Sequence, residues 1–546
     1  MSKRNLGQNL LIGIAIGGGF YLPVIMLLAR AFLGRGAWAG LWQFIGSGVF
    51  RNTLLFSLNE ALLSAACSLL VALPGAYFFG RYDFPGKQLL RSWLAIPFML
   101  PGILVVLGLV IFYGKNGVFN HWLTGLFPGN AWEMNYLYSF WGIILANVFY
   151  NFAFCLRVLG ERWEKIDPRL NEASELLGAG PWRTWVRIVW PLLRPTAAYL
   201  FTMVFLYSFL SFTVVLILGG YLYKTFEVLI YIEYNSKLNL NGAATIAALQ
   251  MVLLAGVLAL QGVLTRSAPA YANFQISRPG LSWRRNPGAA ALFLIYLAAI
   301  TFFFMSPLLA VIIRSFRKLS GGGLTLENYA SLLGTEFSFA IGQSFTTVLG
   351  VSLAIAVCAA IITVILAYLL AWLRREQPWG WIDLLCQLPL GVSFLTFSTG
   401  LSGWAGSLLP SWALIIWAQI FLAFPLVYSV LRTARRELGG SLTDASALLG
   451  AGALETFLRV ELPLMLKPLQ TGFSYAAAIS LGDLSVVLVL GKGELVTLPV
   501  AIYRLIGHYH FPAATALGTL FILISLLLYL GVQSQVRGSG GEHYPQ

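Results

Sequence analysis

Among the ionisable side chains inside runs of apolar residues, two acids are singled out: Asp483, within 470–490, and Glu60, within 53–79. A carboxylate in hydrocarbon is costly, so its presence implies either a partner or a task. Asp483 could attract a cation passing through a cleft, or it could position its own helix through a hydrogen bond or ion pair. Its counterpart in an internal repeat is Ser211, so the acid is one-sided. Glu60 reads better as structural, paired with a basic loop residue near the membrane edge. His508 and His510 flank Tyr509, but two His at i, i+2 face together on a strand and not on a helix, and no Cys or carboxylate cluster accompanies them. They read as solvated loop residues. With no nucleophile and base set and no metal-ligand cluster, no catalytic and no metal residue is assigned.

The elements that must hold these residues are membrane helices. Hydrophobic residues make up 58 % of the chain and charged residues 10 %, too few polar groups to cover a soluble protein of this size. Runs of about 20 apolar residues, the length that crosses a bilayer, can be placed at 10–32, 53–79, 92–113, 139–160, 197–219, 243–264, 289–313, 345–373, 381–404, 412–433, 470–490 and 512–532. The first is long enough to span and no A-x-A-like site follows it, so it is expected to be a retained helix. Cys67, Cys155, Cys358 and Cys386 all fall in apolar stretches and are expected to be small buried hydrophobes. The formal charge of +14 comes from basic residues in short loops, which is a topology signal and excludes a nucleic-acid-binding face. With the N-terminus inside, the even-numbered loops and both tails collect most of the Lys and Arg, including Arg266, Arg278, Arg284 and Arg285. The bias places both termini in the cytoplasm, although Arg30, Arg35, Arg51, Arg314, Arg317 and Lys318 fall on the other side.

The chain repeats itself. Asn171–Pro191 and Thr443–Pro463 share Leu-Leu-Gly-Ala-Gly at an offset of 272, with an acid (Glu172, Asp444), Ala-Ser (Ala173, Ser174; Ala445, Ser446), a glycine (Gly178, Gly450), an aliphatic (Ile188, Val460) and a proline (Pro191, Pro463) in one register. The 213–219 run matches 485–491 at the same offset, whereas Pro101 matches Pro389 at 288. The fold class expected is therefore an all-α integral membrane protein of about twelve transmembrane helices, as two parallel six-helix repeats at 1–270 and 271–546. In each half the repeated segment lies between the fourth and fifth spans, at 161–195 and 433–468. Asp167 and Pro168 should start a short helix and Gly178 should end it. A second amphipathic helix should run from Pro181 along the membrane surface and stop as the chain turns at Pro191. Such a glycine elbow would present a rigid knob below the bilayer. An interfacial helix pair that only anchors the loop is the alternative, and its duplication with unchanged spacing counts against it.

An E-A-A-x-x-x-G followed by I-x-L-P at this spacing resembles the signature loop of ABC-type importer permeases. The matching positions are Glu172, Ala173, Gly178, Ile188 and Pro191, then Asp444, Ala445, Gly450, Val460, Leu462 and Pro463, with Ser174 and Ser446 at the third motif position and Trp190 where Leu is usual. The resemblance covers nearly the whole chain, because fused permeases with two six-helix halves form a subset that includes those for thiamine and for ferric iron. The stretch from Ser480 to Tyr503 looks closest to the thiamine subset.

What the resemblance implies is a permease driven through two coupling loops by two ABC ATPase subunits, with a binding protein delivering a small molecule or ion at the outer face of an inner membrane. ATP and magnesium would belong to the ATPase. No G-x-x-x-x-G-K-[ST] occurs, since the Gly-Lys pairs at 86–87, 114–115 and 491–492 lack its frame. This chain is therefore not expected to be an enzyme or to bind a cofactor of its own. A rival is a secondary transporter, expected to carry several intramembrane acids or broken helices at matching places in both halves. A second is a membrane scaffold, which has no need of duplicated cytoplasmic loops.

Overall fold

A computed structural model describes residues 13, 16–34, 36–126, 137–264, 280–281, 286–318, 323–374, 380–438, 445–446 and 448–539. The first half carries α1 (Leu22–Leu33), α2 (Gly48–Arg81), α3 (Gly102–Tyr113), α4 (Phe140–Glu164), α5 (Arg169–Leu176), α6 (Trp190–Phe209), α7 (Phe226–Tyr231) and α8 (Leu240–Leu264). The second carries α9 (Pro287–Ser315), α10 (Phe345–Leu373), α11 (Phe394–Ala405), α12 (Ser411–Glu437), α13 (Leu462–Gly482), α14 (Leu498–Gly507) and α15 (Phe511–Ser539). Each of the twelve expected spans falls mostly on helix where its residues are described. Among those residues nine helices are long and apolar enough to cross a membrane, or ten counting a pair bent by 85° that includes α1.

The difference from twelve has a physical cause, because several spans are broken. The third ends at Met99 and resumes at Gly102 beyond Pro101. The ninth is split into Trp381–Gln387, a 3-10 turn and α11. The fifth stops at Phe209 and the eleventh at Gly482, each followed by a six-residue helix, Thr213–Leu218 and Ser485–Leu490. Hydropathy cannot register a break when both sides of it are apolar. The breaks occur at matching places in the two halves.

Each half lends its first helix to the other. α1 packs on α11, and α9 packs on α3. Glycines make both contacts possible: a methyl group at Gly400 would lie 2.5 Å from the Pro23 carbonyl oxygen, and one at Gly108 would lie 3.1 Å from that of Pro307. Gly108 and Gly400 are thus equivalent at an offset of 292, four more than at Pro101 and Pro389; the residues Leu390–Ser393 are the extra turn. Cys358 corrects the expectation of four buried thiols, since it is exposed on the outward face of α10, while Cys155 and Cys386 are buried and Cys67 is half-buried.

The exchange gives a stability test. Gly400→Ala should destabilise the purified protein by about 1–3 kcal/mol, because the obstacle is backbone and cannot rotate away. Gly256→Ala on α8, where no atom lies within 4 Å of the added carbon, should be neutral or slightly stabilising. Thermal unfolding of the two variants side by side checks both.

Candidate functional site

The repeated segments fold into two matching elbows. Asp167 Oδ1 accepts a 2.9 Å hydrogen bond from the Arg169 amide and so opens α5 as the sequence led one to expect. Its end is a Schellman turn: Ala179 N–H donates to the Ser174 carbonyl at 3.0 Å and Gly178 N–H to that of Glu175 at 2.9 Å. In the second elbow Ala451 N–H donates to the Ser446 carbonyl at 3.1 Å. Gly178 and Gly450 have φ of 76° and 82°, a left-handed conformation that side chains with a Cβ resist.

The serines at the third motif position have a defined job. Ser174 Oγ meets Thr184 Oγ1 at 2.7 Å, and Ser446 Oγ meets Thr456 Oγ1 at 2.8 Å, all four hydroxyls buried. Each pair clasps the elbow across its glycine. Outside the clasp the apolar residues face solvent: Leu176, Leu177, Leu448 and Leu449 are 87–89 % exposed, and Trp182 and Leu454 stand beside them at 74 % and 71 %. Leucines left in water at a rigid turn mark a surface that something covers.

Of the other motif residues, Glu172, Ala173 and Ala445 are exposed, Ile188, Val460 and Leu462 are half-buried, and Pro191 and Pro463 are exposed. Asp444 lies outside the described residues. One expectation is corrected: the second helix does not stop at Pro191. Pro181–Phe209 is one continuous span, with a π-turn at Trp185–Val189, and the second elbow repeats this at Phe457–Glu461. A π-turn loosens the hydrogen-bond ladder just ahead of the proline, which cannot donate to it. The elbow's second helix and the membrane-spanning helix are therefore one element.

Charged networks join the neighbouring helix ends to one another beside each elbow. In the first half, Glu164 at the end of α4 receives Lys87 at 2.8 Å and Arg91 at 2.5 Å. In the second the polarity is inverted: Asp383 receives Arg374 Nη2 at 2.7 Å, Arg432 Nε at 3.3 Å and the Tyr428 hydroxyl at 2.6 Å, all buried. At the root of the elbows, Trp163 stacks on Trp185 with centroids 5.2 Å apart in the first half. Arg435, in the place of Trp163, pairs with Glu461 at 2.8 Å in the second. None of these was singled out from sequence, although Asp383 sits in an apolar run as conspicuously as Asp483.

Asp483 occupies the break after α13, and its two carboxylate oxygens accept from Ser485 N at 3.1 Å and Val486 N at 3.0 Å. It caps the short helix that follows, the structural alternative among the two readings. Ser211 occupies the matching break, where its carbonyl receives the Thr225 hydroxyl at 2.9 Å. Glu60 is fully buried and its expected basic loop partner is corrected: it is bonded by Asn147 of α4, which also donates to Ser64 at 3.1 Å. His508 and His510 are exposed at the turn between α14 and α15. Beside that turn a cavity of ≈ 470 Å³ opens between the halves, lined by Tyr138 and Ile217 on one side and Tyr503, Arg504 and Tyr509 on the other. A further acid, Glu227, was hidden in what hydropathy reads as an outer loop; it is buried on α7 and bonded by Gln250.

Comparison with known proteins decides the family. The family described as "Binding-protein-dependent transport system inner membrane component" matches residues 72–268 and 378–538. The chain belongs to it. The permease is 26 % identical over 484 residues to the Thiamine transport system permease protein ThiP of Haemophilus influenzae, with 87 % of each chain covered. It is 27 % identical over 510 residues to ThiP of Escherichia coli, covering 91 % of this chain and 90 % of the relative. The Sulfate transport system permease protein CysW of Synechocystis is 30 % identical over 255 residues, which is 46 % of this chain but 89 % of the relative. A relative that fits within half the chain agrees with the duplication. The permease is thus the membrane component of an ABC importer. The secondary-transporter rival is set aside by this match and not by the helix breaks, which do occur at matching positions.

The second-half network yields a test. Asp383→Asn keeps the shape but leaves Arg374 and Arg432 buried without their counter-charge, and should cost about 3–5 kcal/mol. Denaturation of the detergent-purified protein should show the loss, and an unchanged midpoint would mean that the two arginines are satisfied elsewhere.

Proposed function

We propose that this permease imports thiamine, taking it from an extracytoplasmic binding protein and releasing it inside by alternating access between the halves 1–270 and 271–546. The observation that carries the substrate is the match to thiamine permeases across both halves and nine-tenths of the chain. The drive comes from two ABC ATPase subunits seated on the elbows, and the exposed leucines support that reading because the two elbows present one shape twice. ATP and magnesium are bound and used on those subunits, and this chain holds no cofactor. The docking residues are Glu172, Ala173, Ser174, Gly178, Ile188 and Pro191 in the first loop, and Asp444, Ala445, Ser446, Gly450, Val460, Leu462 and Pro463 in the second. The elbows face the cytoplasm, as do both termini, and the cavity beside Tyr509 faces outward. When the ATPases close, the elbows approach and the halves open outward; hydrolysis reverses the motion.

The test is uptake into vesicles holding the permease with its ATPase and binding protein. Labelled thiamine should accumulate only with ATP. A Gly178→Val, Gly450→Val variant should lose at least tenfold in uptake while the ATPase keeps turning over, because valine resists the left-handed turn and, with nothing within 4 Å of either glycine, its bulk strikes only the partner. Accumulation of ferric iron in place of thiamine would move the substrate. Unimpaired uptake by the variant would remove the coupling assignment.

A further inference from the structure

The two halves meet twice at the end remote from the elbows, and the two contacts differ in chemistry. α7 and the π-turn after it, Ile232–Ser236, lie along α11 of the other half; α14 lies along α3. The repeat relates these contacts, with α7 and α14 in register at 272 and α3 and α11 at 292.

The first seam is polar. Glu227, 2 % exposed, is bonded by Gln250 of α8 and faces the Ser393 hydroxyl that caps α11. Farther toward the outer end, the Tyr234 hydroxyl meets Ser402 Oγ at 2.5 Å across the halves. Gln250 Oε1 is buried with no hydrogen-bond partner among the described residues. In the second seam the positions of Glu227, Gln250, Tyr234 and Ser402 hold Pro499, Ile522, Ile506 and Val110, and Ser393, which lies in the extra turn, has no counterpart there. Each polar member with a counterpart has an apolar one.

We infer that the α7–α11 seam is the side of the outward gate that opens, with Glu227 brought to the translocation path, while the α14–α3 seam stays packed and serves as the pivot. Parting the polar seam exchanges hydrogen bonds within the protein for hydrogen bonds to water, a small net change. Parting the apolar seam exposes hydrocarbon to water with nothing gained in return. A half-satisfied polar cluster is also the weaker of the two when dry, since the free Gln250 oxygen gains a partner only on opening. Glu227 is a positioning residue in this scheme: it holds the closed seam and meets water in the open one. The inference rests on the importer reading above, because it needs an ATP-driven outward state.

The test uses the full complex, with Cys67, Cys155, Cys358 and Cys386 replaced by serine or alanine and ATP-dependent uptake retained. Single cysteines are then placed as Ser393→Cys and Val228→Cys on the polar seam, and Val110→Cys and Val500→Cys on the apolar one. All four positions are buried in the closed state, at 8 % exposure or less. Each is reacted with a membrane-impermeant maleimide at rest and after trapping with ATP and vanadate. The expected result is a rise of at least tenfold in labelling rate at the first pair on trapping, with no change at the second. Equal gains on both seams, or a gain only at Val110→Cys and Val500→Cys, would overturn the inference and leave the importer reading standing. Loss of ATP dependence in uptake itself would overturn that reading and the inference with it. As a second measurement, Glu227→Gln should speed labelling of Ser393→Cys at rest and leave Val110→Cys unaffected; no effect at Ser393→Cys would remove Glu227 from the seam.

Discussion

Backbone amides and carbonyls released by a broken helix must find partners inside the protein, because hydrocarbon offers none. The rest of this structure depends on how that demand is met. Asp483 caps one break with its carboxylate, Ser393 caps another with its hydroxyl, and Thr225 reaches back to the carbonyl of Ser211 at a third. Each break is thereby made affordable in apolar surroundings, and each supplies a joint. The joints lie where the halves meet: Pro101, at the first-half break, would be only 3.2 Å from a carbon added at Gly482, at the second-half break. A path between halves lined by such joints can change shape without unfolding a helix.

The same logic explains why the elbows are rigid while the core is jointed. A Schellman turn and a buried hydroxyl clasp fix the elbow, and a single helical span, loosened at its π-turn, leads from Pro181 to Phe209 and the first break. The charged networks around Glu164 and Asp383 keep the adjoining helix ends from sliding past it, and their inverted polarity shows that the two halves reached one mechanical arrangement with different residues.

Much of this was legible in the sequence, for definable reasons. Hydropathy located the apolar helical segments, and the repeat register located both elbows, because Asp167, Gly178 and Gly450 act through local backbone geometry that needs no tertiary partner. Features set by tertiary contact were not legible. The helix breaks leave the hydropathy of the run unchanged. The exchange of first helices rests on Gly108 and Gly400 meeting prolines some two hundred or more residues away. Glu227 was missed because α7 has only six residues, too short for a periodicity argument, and its burial comes from tertiary packing on α8 and α11. The end of the second elbow helix was misplaced because the π-turn ahead of Pro191 absorbs the disruption that proline ordinarily causes.

The central claim is that the two elbows are the knobs through which ATP hydrolysis reaches this membrane domain. A photo-crosslinking residue at Leu177 and, in a separate chain, at Leu449 tests it most directly, in membranes containing the permease and its ATPase. Both positions should capture the ATPase subunit, and both should lose that capture when the adjoining leucine, Leu176 or Leu448, is replaced by Asp. Capture of lipid alone, or of the ATPase at neither position, would contradict the account.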